Sequence, residues 1–135
     1  MDSAIILDAS VTAAWVLDDE NSPYADAVID RIRSEGATVP QFWHIEMRNV
    51  LVIAEHRRRI NADVADGHLI RLQSLPIRVD QGLDLPTAYS LARTHNLTFY
   101  DAIYLEATLR NDGALATLDR ALTRAANAEG LFLVV

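Results

Sequence analysis

Short continuous apolar runs alternate with longer amphipathic stretches along the chain. The first run, residues 4–7, is apolar throughout and ends at Asp8, a pattern typical of a strand buried on both faces of a sheet. Similar short runs recur four times further along. The pattern therefore predicts five strands, over residues 4–7, 37–39, 77–79, 114–117 and 131–135.

Helical spacing, capping residues and helix breakers predict helices between these runs. The longest stretch, from Gln41 to about Arg59, contains no Gly or Pro. Its apolar residues recur at helical spacing and predict a core-facing stripe of Phe42, Ile45, Val52 and Ile53. Further helices are predicted over residues 10–17 with Ser10 as cap, from Pro23 (after Asn21 and Ser22) to the closing Gly36, and over 63–75, 86–95, 99–111 and 119–128.

Apolar strands separated by helices favour a mainly parallel sheet that is covered on both faces. The predicted fold is an α/β class, three-layer α/β/α sandwich with a mainly parallel five-stranded sheet. The chain has 135 residues, of which 50% are hydrophobic and 23% charged. This composition excludes a disordered or collagen-like chain, and the length predicts a single domain over residues 1–135.

The N-terminus and the composition argue against secretion and membrane insertion. Asp2 stands where a signal peptide carries basic residues, and no window reaches the roughly 20 apolar residues of a membrane helix. The chain has no Cys, which excludes disulfides and thiolate metal sites. We therefore expect a cytoplasmic protein. The net charge of −7, with Arg as the only basic residue type, argues against non-specific wrapping of nucleic acid.

Four carboxylates are predicted to meet at one edge of the sheet. Ligand sites of open parallel sheets lie beyond the carboxyl ends of the strands, where Asp8 and Asp119 follow the first and fourth strands. Glu46 and Asp101 lie in early turns of helices that begin at the same edge. Like charges in a partly dry cleft raise one another's pKa, and a divalent cation would relieve that repulsion. Oxygen ligands favour Mg²⁺ or Mn²⁺ over Zn²⁺.

Each acid also has an ordinary structural explanation. Asp8 and Asp119 are placed to cap helices, and Asp101 follows Thr98 at the spacing of a capping box. For these three residues, the pattern alone leaves capping and metal binding open. Glu46 differs because it lies on the predicted core-facing stripe, where a carboxylate without a partner is costly. That position favours a functional role.

Four segments resemble, in order, the motifs of PIN-domain ribonucleases, in particular the VapC-like toxins of type II (VapBC) toxin–antitoxin pairs. The resemblance extends over residues 4–135. One departure is Leu122, which stands where many relatives carry a further acid, and it argues against a firmly held second metal. The matching segments are Ile-Leu-Asp-Ala-Ser (6–10), Phe-Trp-His-Ile-Glu (42–46, after Pro40 and before Asn49), Leu-Thr-Phe-Tyr-Asp-Ala (97–102) and Leu-Ala-Thr-Leu-Asp (115–119).

The resemblance implies an endoribonuclease that depends on Mg²⁺ (or Mn²⁺), hydrolyses RNA phosphodiester bonds and acts as the toxin of a toxin–antitoxin pair. It also implies a homodimer and a cognate VapB-like antitoxin that covers the active site. The implied catalytic metal ligands are Asp8, Glu46, Asp101 and Asp119. The implied supporting residues are Ser10, Thr117 and Asn49.

The sequence does not decide which residues contact RNA, and it leaves two competing functions. Arg48, Arg120 and Arg124 lie one or two turns from the motif acids, where they either bind RNA or form surface ion pairs. The competing functions are a phosphohydrolase of a small metabolite and a non-catalytic module that binds RNA or a partner. Ser10 in place of a second Asp disfavours a phosphohydrolase of the aspartyl-phosphate type. The aromatic residues are interpreted as core or interface residues rather than a platform for bases: Trp15, Trp43, Tyr100 and Tyr104.

Overall fold

The computed structural model describes residues 4–17 and 22–135, which form a five-stranded sheet flanked by helices. All paired strands run parallel, in the order β3-β2-β1-β4-β5. The predicted α/β class and five-stranded sheet are thereby confirmed. The strands are β1 (Ile5–Leu7), β2 (Ala37–Pro40), β3 (Ile77–Asp80), β4 (Ala114–Ala116) and β5 (Phe132–Leu133).

Seven helices connect the strands in the described part of the chain, close to the predicted positions. They form two groups, because α1 to α4 pack among themselves and α5 to α7 do likewise. With right-handed crossovers, the two groups cover opposite faces of the sheet, which confirms the three-layer sandwich. The helices are α1 (Ala9–Val16), α2 (Pro23–Glu35), α3 (Phe42–His56), α4 (Ala62–Gln73), α5 (Leu85–His95), α6 (Phe99–Arg110) and α7 (Arg120–Ala128).

Of two predicted helix caps, one is wrong and one is confirmed. The first helix begins at Ala9 and its N-cap residue is Asp8, so the prediction that Ser10 caps it is wrong. Ser10 lies instead in the first turn, where its hydroxyl is used by the site described below. At the second helix, Ser22 Oγ accepts a hydrogen bond from the Ala25 N–H at 3.1 Å, as the cap prediction requires. Asn21 lies outside the described residues.

The buried face of α3 differs from the predicted stripe. Ile45, Val52 and Ile53 are 61%, 47% and 40% exposed, whereas the core contains Trp43, Met47, Leu51 and Ala54. A helix this rich in apolar residues offers more than one stripe at helical spacing, and contacts with a neighbouring helix select among them. On α1, the Thr12 hydroxyl lies 3.1 Å from Met47 Sδ and accepts the Trp43 indole N–H at 3.1 Å.

The sheet topology creates a crevice at the centre. Strands β2 and β3 lie on one side of β1, and β4 and β5 lie on the other, so the chain reverses direction across the sheet between β1 and β4. Strands β1 and β4 are therefore direct neighbours. Gly113 permits this pairing, because a Cβ there would lie 2.8 Å from the Ala4 carbonyl oxygen. The segments after β1 and β4 therefore meet at one edge.

Within residues 4–17 and 22–135, no helix is both long and apolar enough to cross a bilayer.

Candidate active site

Asp8 occupies the centre of the crevice and is 4% exposed. Its Oδ2 accepts two hydrogen bonds, from Ser10 Oγ at 2.6 Å and from Thr117 Oγ1 at 2.7 Å. Although Asp8 is the N-cap residue of α1, its side chain makes no capping hydrogen bond. The carboxylate is thus held by hydroxyls on both sides of the crevice.

The two hydroxyls are themselves oriented by the chain that follows β4. The Leu118 N–H donates to Ser10 Oγ at 2.9 Å, and the Asp119 N–H donates to Thr117 Oγ1 at 3.0 Å. A hydroxyl has one proton and two acceptor lone pairs. Because backbone donors occupy an acceptor position on each oxygen, the single proton of each hydroxyl is directed at Asp8.

Burial is the largest influence on Asp8 and raises the pKa of its carboxyl group. The hydrogen bonds from Ser10 and Thr117 act in the opposite direction, and the negative charge of Asp119 adds to the upward shift of the pKa. The site therefore holds a carboxylate that is destabilised in its charged form and oriented by two donors. A cation near Asp8 would favour the charged carboxylate and so lower its pKa.

Glu46 enters the site from α3 and is paired with Tyr104 of α6. The Tyr104 hydroxyl donates to Glu46 Oε1 at 2.6 Å, and Tyr104 is fully buried. Burial raises the pKa of Glu46, the hydrogen bond from Tyr104 lowers it, and the charges of Asp8 and Asp101 raise it further. Tyr104 is the partner that a carboxylate at this position requires.

Asp101 lies in the first turn of α6. The helix is capped by Thr98, whose Oγ1 accepts the Asp101 N–H at 3.1 Å, as the capping-box spacing predicted. Burial, followed by the negative charges of Asp119 and Asp8, raises the pKa of the Asp101 side chain to about 6. Capping and participation in the carboxylate group therefore coexist at the start of this helix.

Asp119 both caps a helix and belongs to the carboxylate group. Its Oδ1 accepts the Leu122 N–H at 2.8 Å at the start of α7. Its Oδ2 accepts no hydrogen bond from the described residues and is free to bind a ligand. Leu122, at the position of the missing fifth acid, is fully buried in the core.

The structure brings the four predicted acids together. Asp8, Glu46 and Asp101 each have a pKa raised in part by the negative charges of others in the group, and Asp119 acts on Asp8 and Asp101. Across residues 4–17 and 22–135, no three His, Asp or Glu side chains form a preassembled metal cage. The donors fit Mg²⁺ nonetheless, since this ion commonly keeps several waters and takes one or two carboxylates plus substrate phosphate.

The remaining predicted residues lie outside the carboxylate group. Asn49 is exposed on the outer face of α3 and makes no hydrogen bond with the acids in the described part of the chain. Arg48, Arg120 and Arg124 are also exposed, and Arg48 Nη1 donates to the His44 carbonyl oxygen at 3.0 Å. Within the described residues none of these three Arg forms an ion pair.

Sequence reasoning missed two contacts beside the site. Tyr104 is a core residue, as predicted, but its hydroxyl also anchors Glu46. Its position three residues after Asp101, on the same side of α6, was the available signal. The Phe42 and Tyr100 rings stack beside the site, with centroids 4.9 Å apart and an interplanar angle of 5°.

A model of the PIN domain matches residues 5–128. The chain belongs to the PIN domain family. PIN domains are generally metal-dependent nucleases, which agrees with a carboxylate site at the carboxyl edge of a parallel sheet. The resemblance to the PIN family noted in the sequence is thereby confirmed.

Two solved structures share the fold of this PIN domain. PAE2754 from Pyrobaculum aerophilum is 25% identical, with a TM-score of 0.69 over 93% of this chain and 86% of that chain. FitAcB from Neisseria gonorrhoeae is 18% identical, with a TM-score of 0.66 over 97% of this chain and 96% of that chain. This likeness concerns the fold alone. No curated protein matches the chain.

Proposed function

We propose that this PIN domain is a Mg²⁺-dependent (or Mn²⁺-dependent) endoribonuclease that acts as the toxin of a type II toxin–antitoxin pair. The observation that carries the proposal is the convergence of Asp8, Glu46, Asp101 and Asp119, from four separate segments, at a crevice where their charges oppose one another. Membership of a family of metal-dependent nucleases supports hydrolysis of a phosphodiester bond. The toxin role and the RNA substrate follow from the motif resemblance.

Asp8, Asp101 and Asp119 would hold the ion, directly or through its bound waters, and Glu46 would coordinate it or orient the attacking water. Bound Mg²⁺ would supply activation of a water and stabilisation of negative charge on the phosphoryl oxygens. Asp8 is oriented for this role by two hydroxyls, and Asp119 has one carboxylate oxygen without a protein donor in the described residues. Tyr104 fixes the orientation of Glu46 by its hydrogen bond.

The charge distribution supports an RNA substrate despite the net charge of −7. Arg48, Arg120 and Arg124 are exposed without ion pairs in the described residues, so their guanidinium groups are available for phosphate contacts. A bound divalent cation would also reverse the field at the carboxylates. Together these features attract a phosphate to the crevice.

The same proposal includes a VapB-like antitoxin that covers the active site, a homodimer and a cytoplasmic location. An exposed acidic crevice offers an antitoxin a place for a basic side chain. The large apolar side chains that α3 leaves exposed support self-association.

Cleavage of a defined single-stranded RNA tests the proposal. The wild-type chain should cut the RNA with Mg²⁺ and lose activity with a chelator, and Asp8→Asn should reduce the rate by about 100-fold or more. Exposed Asp66 on α4 provides the matched control, Asp66→Asn, which should cleave normally. Undiminished cleavage by Asp8→Asn would contradict the assignment, and equal hydrolysis of a small phosphomonoester would favour the phosphohydrolase.

Toxicity tests the biological role separately. Expression of the intact chain without an antitoxin should arrest growth, and Glu46→Gln should relieve the arrest while leaving the protein folded. Gln retains an oxygen that accepts the Tyr104 hydroxyl, so the variant changes charge more than packing. Harmless expression of the intact chain would contradict the toxin role and leave the nuclease assignment standing.

A further inference from the structure

An aromatic pair lies beside the carboxylates. Phe42, the first residue of α3, and Tyr100, the second residue of α6, stack with centroids 4.9 Å apart and rings almost parallel. Phe42 is partly buried, whereas Tyr100 is 59% exposed. In the described residues Tyr100 has no other ring, cation or hydrogen-bond partner. One face of the Tyr100 ring is therefore backed by Phe42, and the other is open to solvent.

Helical spacing places this pair next to the proposed site. Phe42 precedes Glu46 by four residues on α3, and Tyr100 precedes Tyr104 by four residues on α6. Residues four apart lie on the same helix face, about 6 Å apart along the axis. Since Tyr104 bonds Glu46 at 2.6 Å, the stack and this hydrogen bond are successive contacts between the two helices. Asp101 directly follows Tyr100, so the open ring lies within about one helical turn of the carboxylates.

The exposure of Tyr100 requires an explanation other than core packing. A tyrosine that served the core would bury its ring, as Tyr104 does one turn further along the same helix. A rigid ring backed by a second ring presents a π face to solvent at low entropic cost. Sites that bind single-stranded nucleic acid use such faces to stack bases, largely without regard to sequence.

We propose that the open face of Tyr100, backed by Phe42, stacks a base of single-stranded RNA adjacent to the phosphate held at the carboxylates. The inference rests on the proposed function and adds to it a residue that binds the substrate. It replaces the interpretation of Tyr100 as a core or interface aromatic. Phe42 acts as a positioning residue, because it holds the Tyr100 ring without itself contacting the base.

A fluorescent base analogue tests the stacking directly. The probe is a single-stranded oligoribonucleotide that contains 2-aminopurine, whose fluorescence is quenched on stacking, added with Mg²⁺ to the Glu46→Gln protein to prevent cleavage. The parent should quench the probe on binding. Tyr100→Ala should lose the quenching and bind RNA about 5- to 100-fold more weakly. Tyr100→Phe, which keeps the ring, should restore both.

The matched control is Tyr89→Ala, since Tyr89 is 54% exposed on α5 and is contacted by Arg93 of the same helix. It should bind and quench like the parent. In the cleaving protein, Tyr100→Ala should raise KM more than it lowers kcat. A thermal melt of each variant identifies loss of folding. If Tyr100→Ala does not fold, Phe42→Leu decides, because loss of the backing ring should weaken the quenching and unchanged quenching would contradict the stacking.

The outcomes separate this inference from the proposed function. Cleavage by the wild-type chain together with unchanged quenching by Tyr100→Ala would overturn the stacking and leave the nuclease intact. No cleavage by the wild-type chain, with quenching that still depends on Tyr100, would overturn the nuclease and support stacking. If Tyr100→Ala altered self-association or antitoxin binding but not RNA binding, the pair would be a protein interface and the inference would be wrong.

Discussion

Single residues in the site are oriented by donors that come from other elements. Asp8 receives its hydrogen bonds from the first turn of α1 and from the residue after β4, and each hydroxyl is oriented by a backbone N–H from the chain beyond β4. Glu46 likewise depends on a donor from α6. Such partners hold a ligand in place and commonly account for 10- to 100-fold in metal affinity or activity. The supporting residues are therefore as testable as the acids.

Removal of the Tyr104 hydroxyl should weaken cleavage by way of Glu46. The hydrogen bond lowers the pKa of Glu46, so Tyr104→Phe should raise that pKa further, reduce the cleavage rate by about 10- to 100-fold and move the acidic limb of the pH–rate profile to higher pH. Stability should fall by about 1 kcal/mol. The pH–rate profile is the measurement, because a purely structural role would lower the rate at every pH without moving the limb.

Protonation of Asp101 should stabilise the metal-free protein between about pH 4 and pH 6. The pKa of Asp101 is raised from 3.8 to about 6, so the folded state binds its proton more tightly than the unfolded state does. The contribution of Asp101 to the free energy of unfolding then falls as the pH rises through this interval, whereas the contribution of His44, whose pKa is lowered by burial, rises. Burial shifts the pKa values of Asp8 and Glu46 in the same direction as that of Asp101. Because Asp101 is half-exposed, we expect a contribution of roughly 1 kcal/mol.

Urea denaturation at pH 4, 5, 6 and 7 with a chelator measures this dependence. Asp101→Asn should be the more stable protein at pH 7 and should show a flatter pH dependence, whereas Asp66→Asn should follow the wild type. A wild-type chain that loses no more stability between pH 4 and pH 6 than Asp101→Asn does would contradict the assigned direction. Addition of Mg²⁺ should stabilise the protein more at pH 7 than at pH 5, since metal binding competes with protons.

At the scale of an element, the sequence left ambiguous which face of α3 is buried. The structure buries Met47 completely and leaves Ile45 61% exposed. Met47→Ala should therefore cost about 2 to 5 kcal/mol, whereas Ile45→Ala should change stability by less than about 0.5 kcal/mol. Urea denaturation at low protein concentration, where any dimer dissociates, makes the comparison. If Ile45→Ala cost more stability than Met47→Ala, the result would support the predicted stripe and contradict the orientation of α3 in the structure.

Sequence patterns determined the elements better than the contacts between them. Placing Asp8 and Asp119 at one edge required only parallel strands that end next to them, and the acids of α3 and α6 followed because both helices begin there. The rotation of α3 depends on a hydroxyl of α1 that lies more than thirty residues away. Tyr104 and the stack of Phe42 on Tyr100 likewise depend on how two helices face each other. Spacing within one helix does not contain that information.

At the scale of the whole molecule, the net charge bears on how the proposed RNA substrate would bind. The chain carries a net charge of −7, so its general field repels RNA. Under the proposed function, attraction would come from local features, namely the exposed Arg residues near the motifs and a bound cation. The proposed stacking on Tyr100 would add affinity that does not depend on charge. This combination would confine RNA binding to the site where the carboxylates lie.

The outer face of α3 gives the homodimer a specific test. Ile45 and Val52 lie two helical turns apart on this face, with Asn49 between them, and both are substantially exposed. If this face binds a second copy, sedimentation should give a molecular mass of about twice 15.0 kDa for the wild-type chain. Val52→Asp should then give the mass of the monomer. Phe132→Asp is the control, since Phe132 is 75% exposed on the edge strand β5. A monomeric wild-type chain would contradict the homodimer, and dissociation by Phe132→Asp alone would place the interface at β5 instead.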